Sequence, residues 1–323
     1  MAATLNNTST GTISGSASLT ISHTVGSGSD RYLEVTACCT NSSDYLAAAT
    51  CAYGGTSMGS PIVTAVSGSS NRFTYVWGMV APTSGTANVV ITPSSGAYLD
   101  AIVRDYTGVD QSTPVASSTK YANPISSPLP TQTLTCPSGG LLADFLTVRA
   151  TGQTLTPGAS QTQSGSTIAG GVSTSAGSTK ASSDLSWSAW TGSQGVAHVG
   201  IALNAAAASP TTATLTGPTT GTTGSASSNF TVTLDAPATS TVTITPAGTV
   251  GTVTFTPATP TITAGNTSTT FTANADTDGT HSISITTSPT LTYSGSPISY
   301  VTTTPSGSAI AAISNTYRMM RSA

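Results

Sequence analysis

What most constrains this chain is a rhythm of short alternating segments interrupted by turn residues. Residues 240–246 read S-T-V-T-I-T-P, residues 268–273 S-T-T-F-T-A, and residues 73–80 F-T-Y-V-W-G-M-V. Alternation at period two sends successive side chains to opposite faces of a strand. Nowhere do apolar residues hold a 3.6 spacing over three turns, so no long amphipathic helix is expected. Clusters such as V-G-S-G-S-D at 25–30 and A-P-T-S-G at 81–85 punctuate the segments. Strands separated by turns every 8 to 12 residues or so are the signature of a β-sandwich or jelly roll. The expected fold class is therefore all-β.

Charge is the second constraint. Only 6% of residues are charged, against roughly 25% in ordinary soluble domains. Thr and Ser stand where Lys and Glu usually do, and Thr both favours strands and tolerates water. The eight Lys and Arg are scattered and the net charge is −3, so there is no basic patch for nucleic acid. No run approaches the roughly 20 apolar residues that span a bilayer as a helix. The opening M-A-A-T-L-N-N lacks the basic and apolar regions of a secretory signal, so synthesis in a cytoplasm is expected.

Residues 100–115, D-A-I-V-R-D-Y-T-G-V-D-Q-S-T-P-V, contain a strand expected near the middle of a sheet, with Pro114 outside the pairing. Around it, residues 1–204 are expected to form a jelly-roll-like sandwich, with short strands at 133–136 and 185–190 and long loops with short strands over 153–183. The Ala-rich stretch 205–210 reads as a linker. Residues 211–304 hold seven alternating segments, the size of an Ig-like sandwich without its Cys…Trp…Cys core. A tail, 305–323, gathers Tyr317, Arg318 and Arg321 beside Met319 and Met320 as an apolar-basic cluster able to order on a partner.

Candidate chemistry is sparse, and neither a cofactor nor a metal site is expected. Cys38, Cys39, Cys51 and Cys136 form no C-x-x-C, and His23, His198 and His281 are far apart in sequence, which disfavours zinc. Alternation puts Cys39 on the face of Leu33 and Val35, expected buried, and Cys38 on the opposite face, expected more exposed. Pairing is open: these are thiols, free or in disulfides. His198 and Asp144 lie in apolar strands and could meet, but no G-x-S-x-G elbow supplies a nucleophile, and Glu34 is the only Glu, which disfavours paired-carboxylate glycoside chemistry. An enzyme is not expected. D-T-D-G at 276–279 resembles the start of a calcium loop without its later ligands, so a turn is expected. Trp187 and Trp190 would face opposite ways on one strand, leaving at most one exposed for sugar stacking. Trp187, Trp190 and Arg104, the last beside Asp105, are candidate interface residues because aromatic and Arg side chains dominate interface cores.

Several segments resemble a jelly-roll-like domain of tailed-phage structural proteins and bacterial surface proteins. They are H-T-V-G-S-G-S-D-R from His23, Y-G-G from Tyr53, V-A-P-T-S-G-T-A from Val80, Y-T-G-V-D-Q-S-T-P from Tyr106, A-G-S-T-K from Ala176, Trp190, and H-V-G-I-A-L from His198. In order they cover about three-fifths of the chain, and the Cys38-Cys39 pair departs from the pattern. Residues 211–303 look like the bacterial and phage Ig-like domains often appended to virion proteins. The resemblance implies a non-enzymatic structural protein of a virion, of the capsid-decoration or head-fibre kind. Its partner would be the major capsid protein or another virion protein, and it would assemble as a homo-oligomer made in the host cytoplasm. The alternatives are a phage tail or fibre protein and a carbohydrate-binding adhesin module, with a host-surface glycan as ligand.

Overall fold

The computed structural model describes residues 1–67, 71–126, 131–149, 153–169, 173–187 and 193–305. Its regular elements are all strands, and the chain divides into two compact units, Met1–Ala206 and Ala207–Ala323. The first unit thus runs past the expected boundary at 204. Ala205 bridges Val109, and the Ala206 N–H donates to the Gly108 carbonyl, which ties both residues to the first unit.

The first unit begins with β1 (Thr4–Ser16), β2 (Leu19–Val25), β3 (Tyr32–Cys39), β4 (Thr50–Tyr53), β5 (Thr56–Ser57), β6 (Val63–Ser67), β7 (Arg72–Val80), β8 (Gly85–Thr92) and β9 (Ala97–Thr107). They form two antiparallel sheets, β1-β9-β3-β7-β6 and β2-β8-β4-β5. With β6 set aside as the hairpin partner of β7, the other eight strands, counted along the chain, fall as 1-8-3-6 and 2-7-4-5. That is the wrapped double Greek key of a jelly roll. The jelly roll is therefore complete at Thr107, about half the length expected for it.

The remaining strands of this unit make a third layer: β10 (Val115–Ser126), β11 (Leu141–Val148), β12 (Thr162–Ala169), β13 (Ser173–Lys180) and β14 (Ser193–Leu203), ordered β10-β14-β11-β13-β12. The sheet containing β3 is consequently covered on both faces. Leu33, Val35, Ala37 and Cys39 of β3 join Trp77, Leu99 and Val103 in one core against the four-stranded sheet. Tyr32 and Cys38 join Ile102, Tyr106, Phe145 and Ile201 in a second core against the third layer. All eight residues of β3 are buried. Outer strand β2 keeps the one-sided alternation, with Leu19, Ile21, His23 and Val25 inside and the Thr and Ser between them exposed.

Three expectations change here. Cys38 does lie on the face opposite Cys39, yet it is as buried as Cys39, because the third layer covers that face. Residues 133–136 and 185–187 are not strands; they cover the outer face of the third sheet, where Leu134 and Leu185 pack on Leu142 and Ala202. The stretch 153–183, expected to be long loops with short strands, contains the full eight-residue strands β12 and β13. All four cysteines are free thiols, and only Cys136 is partly exposed.

The second unit comprises β15 (Thr212–Thr216), β16 (Thr220–Thr222), β17 (Phe230–Leu234), β18 (Val242–Ala247), β19 (Val253–Thr256), β20 (Thr261–Ile262), β21 (Ser268–Ala275), β22 (Gly279–Ser288), β23 (Thr292–Ser294) and β24 (Ile298–Thr303). Its sheets run β19-β21-β17-β15-β23 and β16-β24-β22-β18-β20. Taking the seven main strands as A to G, these are D-E-B-A and G-F-C, the Ig arrangement. In place of a disulfide and Trp, its core stacks Phe230 on Phe271 at 5.4 Å with Tyr300 edge-on to Phe230 at 5.6 Å. The 276–279 segment is a turn: Asp276 accepts from the Thr252 N–H at 2.8 Å, and Asp278 accepts from the Thr223 and Thr304 hydroxyls.

Candidate functional site

Two of the first unit's buried networks of charged and hydrogen-bonding side chains contain a histidine, one on each face of the central sheet. On the third-layer face, Glu34 of β3 accepts from Arg104 Nη2 at 2.5 Å, the Tyr106 hydroxyl at 2.6 Å and the Thr36 hydroxyl at 2.8 Å. Arg104 Nη1 crosses to the third layer and donates to the carbonyls of Asp144 and Ser178 and to Ser164 Oγ, at 2.9–3.1 Å. Gly177 makes this crossing feasible, since a Cβ there would lie 3.0 Å from Arg104 Nη1. Burial, the largest single influence, would lower the Arg104 pKa, but the Glu34 charge and hydrogen bond together with Tyr106 and Asp144 outweigh it and raise the pKa. Arg104 has no exposed surface. The expectation that it lines an interface is corrected: its guanidinium is consumed in joining two layers, and Asp105 points to the other face of the strand.

Asp144 anchors the same network. Its Oδ1 accepts the Ser178 N–H and hydroxyl at 2.9 and 2.7 Å, and its Oδ2 accepts Trp187 Nε1–H at 2.7 Å and lies 2.8 Å from His198 Nε2. Ser, His and Asp thus meet, but in the wrong order for acyl transfer. The carboxylate sits between Ser178 and His198, whereas a relay needs the imidazole between hydroxyl and carboxylate. Trp187 is buried against Leu146, Leu155 and Val196, so it offers no stacking face. Trp190, Tyr317, Arg318 and Arg321 lie outside the described residues.

The second network does have the relay order. Ser9 Oγ lies 2.9 Å from His23 Nδ1, and His23 Nε2 lies 3.2 Å from Asp105 Oδ1. Asp105 also accepts from Asn6 Nδ2 and from the N–H groups of Asn7 and Gly26. Burial pushes the Asp105 pKa up, but the bonds from His23, Gly26 and Asn6 outweigh it and hold the carboxyl below its usual range. The His23 and Asp105 side chains have no exposed surface, so the imidazole cannot reach a leaving group. The trio ties β1 and β2 to β9. No motif marks it in the sequence; only the strand register brings Ser9, His23 and Asp105 together.

Open surface chemistry lies elsewhere. A cleft of about 570 Å³ opens between the edges of the two jelly-roll sheets, with residues 53, 54, 56–58 and 85–87 on the side of the four-stranded sheet, residues 78–80 of β7 on the other, and residues 81–84 linking the two. Its lining carries no charged side chain, no amide and no imidazole. Val80 is 44% exposed there. The 81–85 wall is fixed from behind. The Tyr53 hydroxyl reaches the carbonyls of Gly85 (2.9 Å) and Thr83 (3.3 Å), and Arg31 Nε donates to that of Pro82 (2.9 Å). Ala81 holds φ at 47°, a region costly for a residue with a Cβ, and its N–H donates to both the Arg31 carbonyl and Gln111 Oε1. Among the described residues no three His, Cys, Asp or Glu side chains gather as a metal set.

A scan of protein-family models and a search of curated proteins returned no match to the chain. The fold, a jelly roll carrying a third β-layer followed by an Ig-like sandwich, defines a class of architecture and not an activity.

Proposed function

We propose that this chain is a non-enzymatic structural component of a tailed-phage virion, of the capsid-decoration or head-fibre kind, seated through its first unit with the Ig-like unit as a projecting spacer. The observation that carries this reading is the 1-8-3-6/2-7-4-5 strand order of residues 4–107, a fold recurrent in capsid proteins, joined to the segment-by-segment resemblance from His23 to Leu203. Two features support a structural role. The His23–Asp105 and His198–Asp144 side chains are closed to solvent and hold strands together, and the first unit carries the uncharged cleft with the exposed Val80.

The test is localisation on purified particles by cryo-electron microscopy, with an antibody against the second unit as marker. Regular density on the head, labelled at its outer end, is the expected result. Label on the tail alone would move the protein to the tail-fibre class. Absence from particles together with recovery from a cell envelope would replace the reading with an adhesin.

A further inference from the structure

The cleft wall formed by β7 is an unfinished sheet edge. Strand β6 pairs with β7 only from Arg72 to Val76. Upstream of β6, Pro61 has no N–H to donate and Gly59 turns at φ 72°, taking the chain away toward β5. The direction of the remaining main-chain groups follows from two hydrogen bonds. Ile62 N–H donates to the Val76 carbonyl at 2.7 Å, so Val76 faces the β6 side, whereas Ala81 N–H donates to Arg31 on the β3 side at 2.9 Å. The two groups of a residue in an antiparallel strand share one direction, and that direction alternates. Gly78 and Val80 therefore aim their N–H and C=O groups the way Val76 does, where no strand pairs with them among the described residues. The facing wall, β5, is likewise the edge of its own sheet, paired only with β4.

We infer that this cleft is a docking slot for an extended, uncharged segment of a partner polypeptide, which adds to β7 as a short strand at Gly78 and Val80. Strand addition draws affinity from main-chain hydrogen bonds and specificity from pockets for alternate side chains; the Gly78 and Val80 groups can supply the first, and the cleft beside them gives room for side chains. The neutral lining matches an uncharged segment, and the apolar surface of Val80 and Met79 suits small or β-branched side chains. The wall pinned by Tyr53, Arg31 and Gln111 is already ordered, which lowers the cost of binding. A sugar fits the lining less well. It would find hydroxyls on Thr56, Ser57 and Ser84, but no carboxylate, no amide and no exposed ring face, because Tyr53 is buried. The inference stands whether or not the protein belongs to a virion.

The test uses the full chain and a pooled library of end-capped pentapeptides built from Thr, Ser, Val and Ala, with hydrogen exchange as readout. Saturable protection of the Gly78 and Val80 amides is expected. Val80→Pro deletes one N–H at an exposed position without touching the β3 ladder and should weaken binding about 2- to 10-fold, the worth of one net hydrogen bond. Val80→Thr keeps the N–H and should bind within about 2-fold of the parent. If Val80→Pro fails to fold, the exchange result on the parent chain decides alone. No protection at these amides, or equal binding by the Pro and Thr variants, would overturn the proposal. So would displacement of the peptides by a neutral oligosaccharide such as maltopentaose, which would make the cleft a glycan site.

Discussion

Replacing Arg104 with Met should unfasten the third layer from the jelly roll. The substitution removes the 2.5 Å pair with Glu34 and three donations from Nη1 to Asp144, Ser164 and Ser178. Glu34 keeps the Tyr106 and Thr36 hydroxyls but loses its counter-charge at a site where it is 2% exposed. Removing one partner of a buried pair typically costs about 3–5 kcal/mol, because the other charge is left without compensation. For a unit of this size, about 2–4 °C per kcal/mol converts that loss to a drop of roughly 6–20 °C in Tm. All three Trp residues lie in the first unit, so tryptophan fluorescence during urea unfolding reports this unit alone. The midpoint should fall at an unchanged slope. Adding Glu34→Gln to Arg104→Met removes the stranded charge and should restore most of the loss, giving a coupling energy above about 2 kcal/mol in the double-mutant cycle. A single-mutant cost below about 1 kcal/mol, with no recovery in the double mutant, would refute the claim that this pair fastens the layers.

Two of the buried carboxylates, Asp100 and Asp105, should respond to pH in opposite senses. Burial raises the Asp100 pKa despite donations from Ser173, Ser175 and Thr167, so its contribution is present below its unfolded pKa of about 3.9 and is lost as pH rises through the folded value. The Asp105 pKa is lowered, so its contribution is present above about 3.9 and is lost as pH falls through the folded value. Asp100→Asn should therefore gain on the parent as pH rises, and Asp105→Asn should be most destabilised near neutrality and converge with it in acid; parallel stability–pH curves for parent and variant would contradict this. In native thiol labelling read by mass spectrometry, Cys136 should react first. Cys38 and Cys51, pushed by burial up to about 11 and about 12, should label together with buried Cys39 only on unfolding, and early labelling of Cys38 would show that the third layer opens. Ser9 should resist a fluorophosphonate probe, and its labelling, abolished by His23→Ala, would make the second network catalytic. Limited proteolysis should cut at the exposed residues 207–209, between Ala206, held to Gly108, and the buried Pro210; first cuts elsewhere would place the hinge wrongly.

Alternation made much of the architecture legible. Residues 73–80 are apolar on both faces and belong to a doubly covered sheet, and the seven segments of 211–304 became the seven main Ig strands. Strand β13 was hidden because S-T-S-A-G-S-T-K offers no hydrophobic signal. It is buried all the same, since Asp100 takes up the Ser173 and Ser175 hydroxyls and Asp144 takes up Ser178. Strand β10 carries Pro124, which disqualifies a central strand, and the structure places it at an edge. Arg104 reads as an interface residue because a single strand cannot announce that a third sheet covers its polar face, and the Glu34 that pairs with it is hidden for the same reason. The cleft was visible only as turn residues at 54–55 and 81–85; what makes it a site is the early end of β6, a matter of register that no local composition encodes.

The pairing of β1 with β9, from Thr4 opposite Thr107 to Ser16 opposite Ala97, has a consequence for how the protein is made. Its first strand must wait for more than ninety further residues to be synthesised before its partner exists, and the third sheet must wait for β14 to pair with both β10 and β11. Contacts so distant along the chain make folding slow, because loop-closure entropy is lost before any pairing returns it. During translation, the β9 face bearing Ile102 and Tyr106 emerges well before the Val199 and Ile201 that will cover it. The nascent first unit is thus exposed to strand-to-strand aggregation for longest just where the finished molecule is most deeply buried.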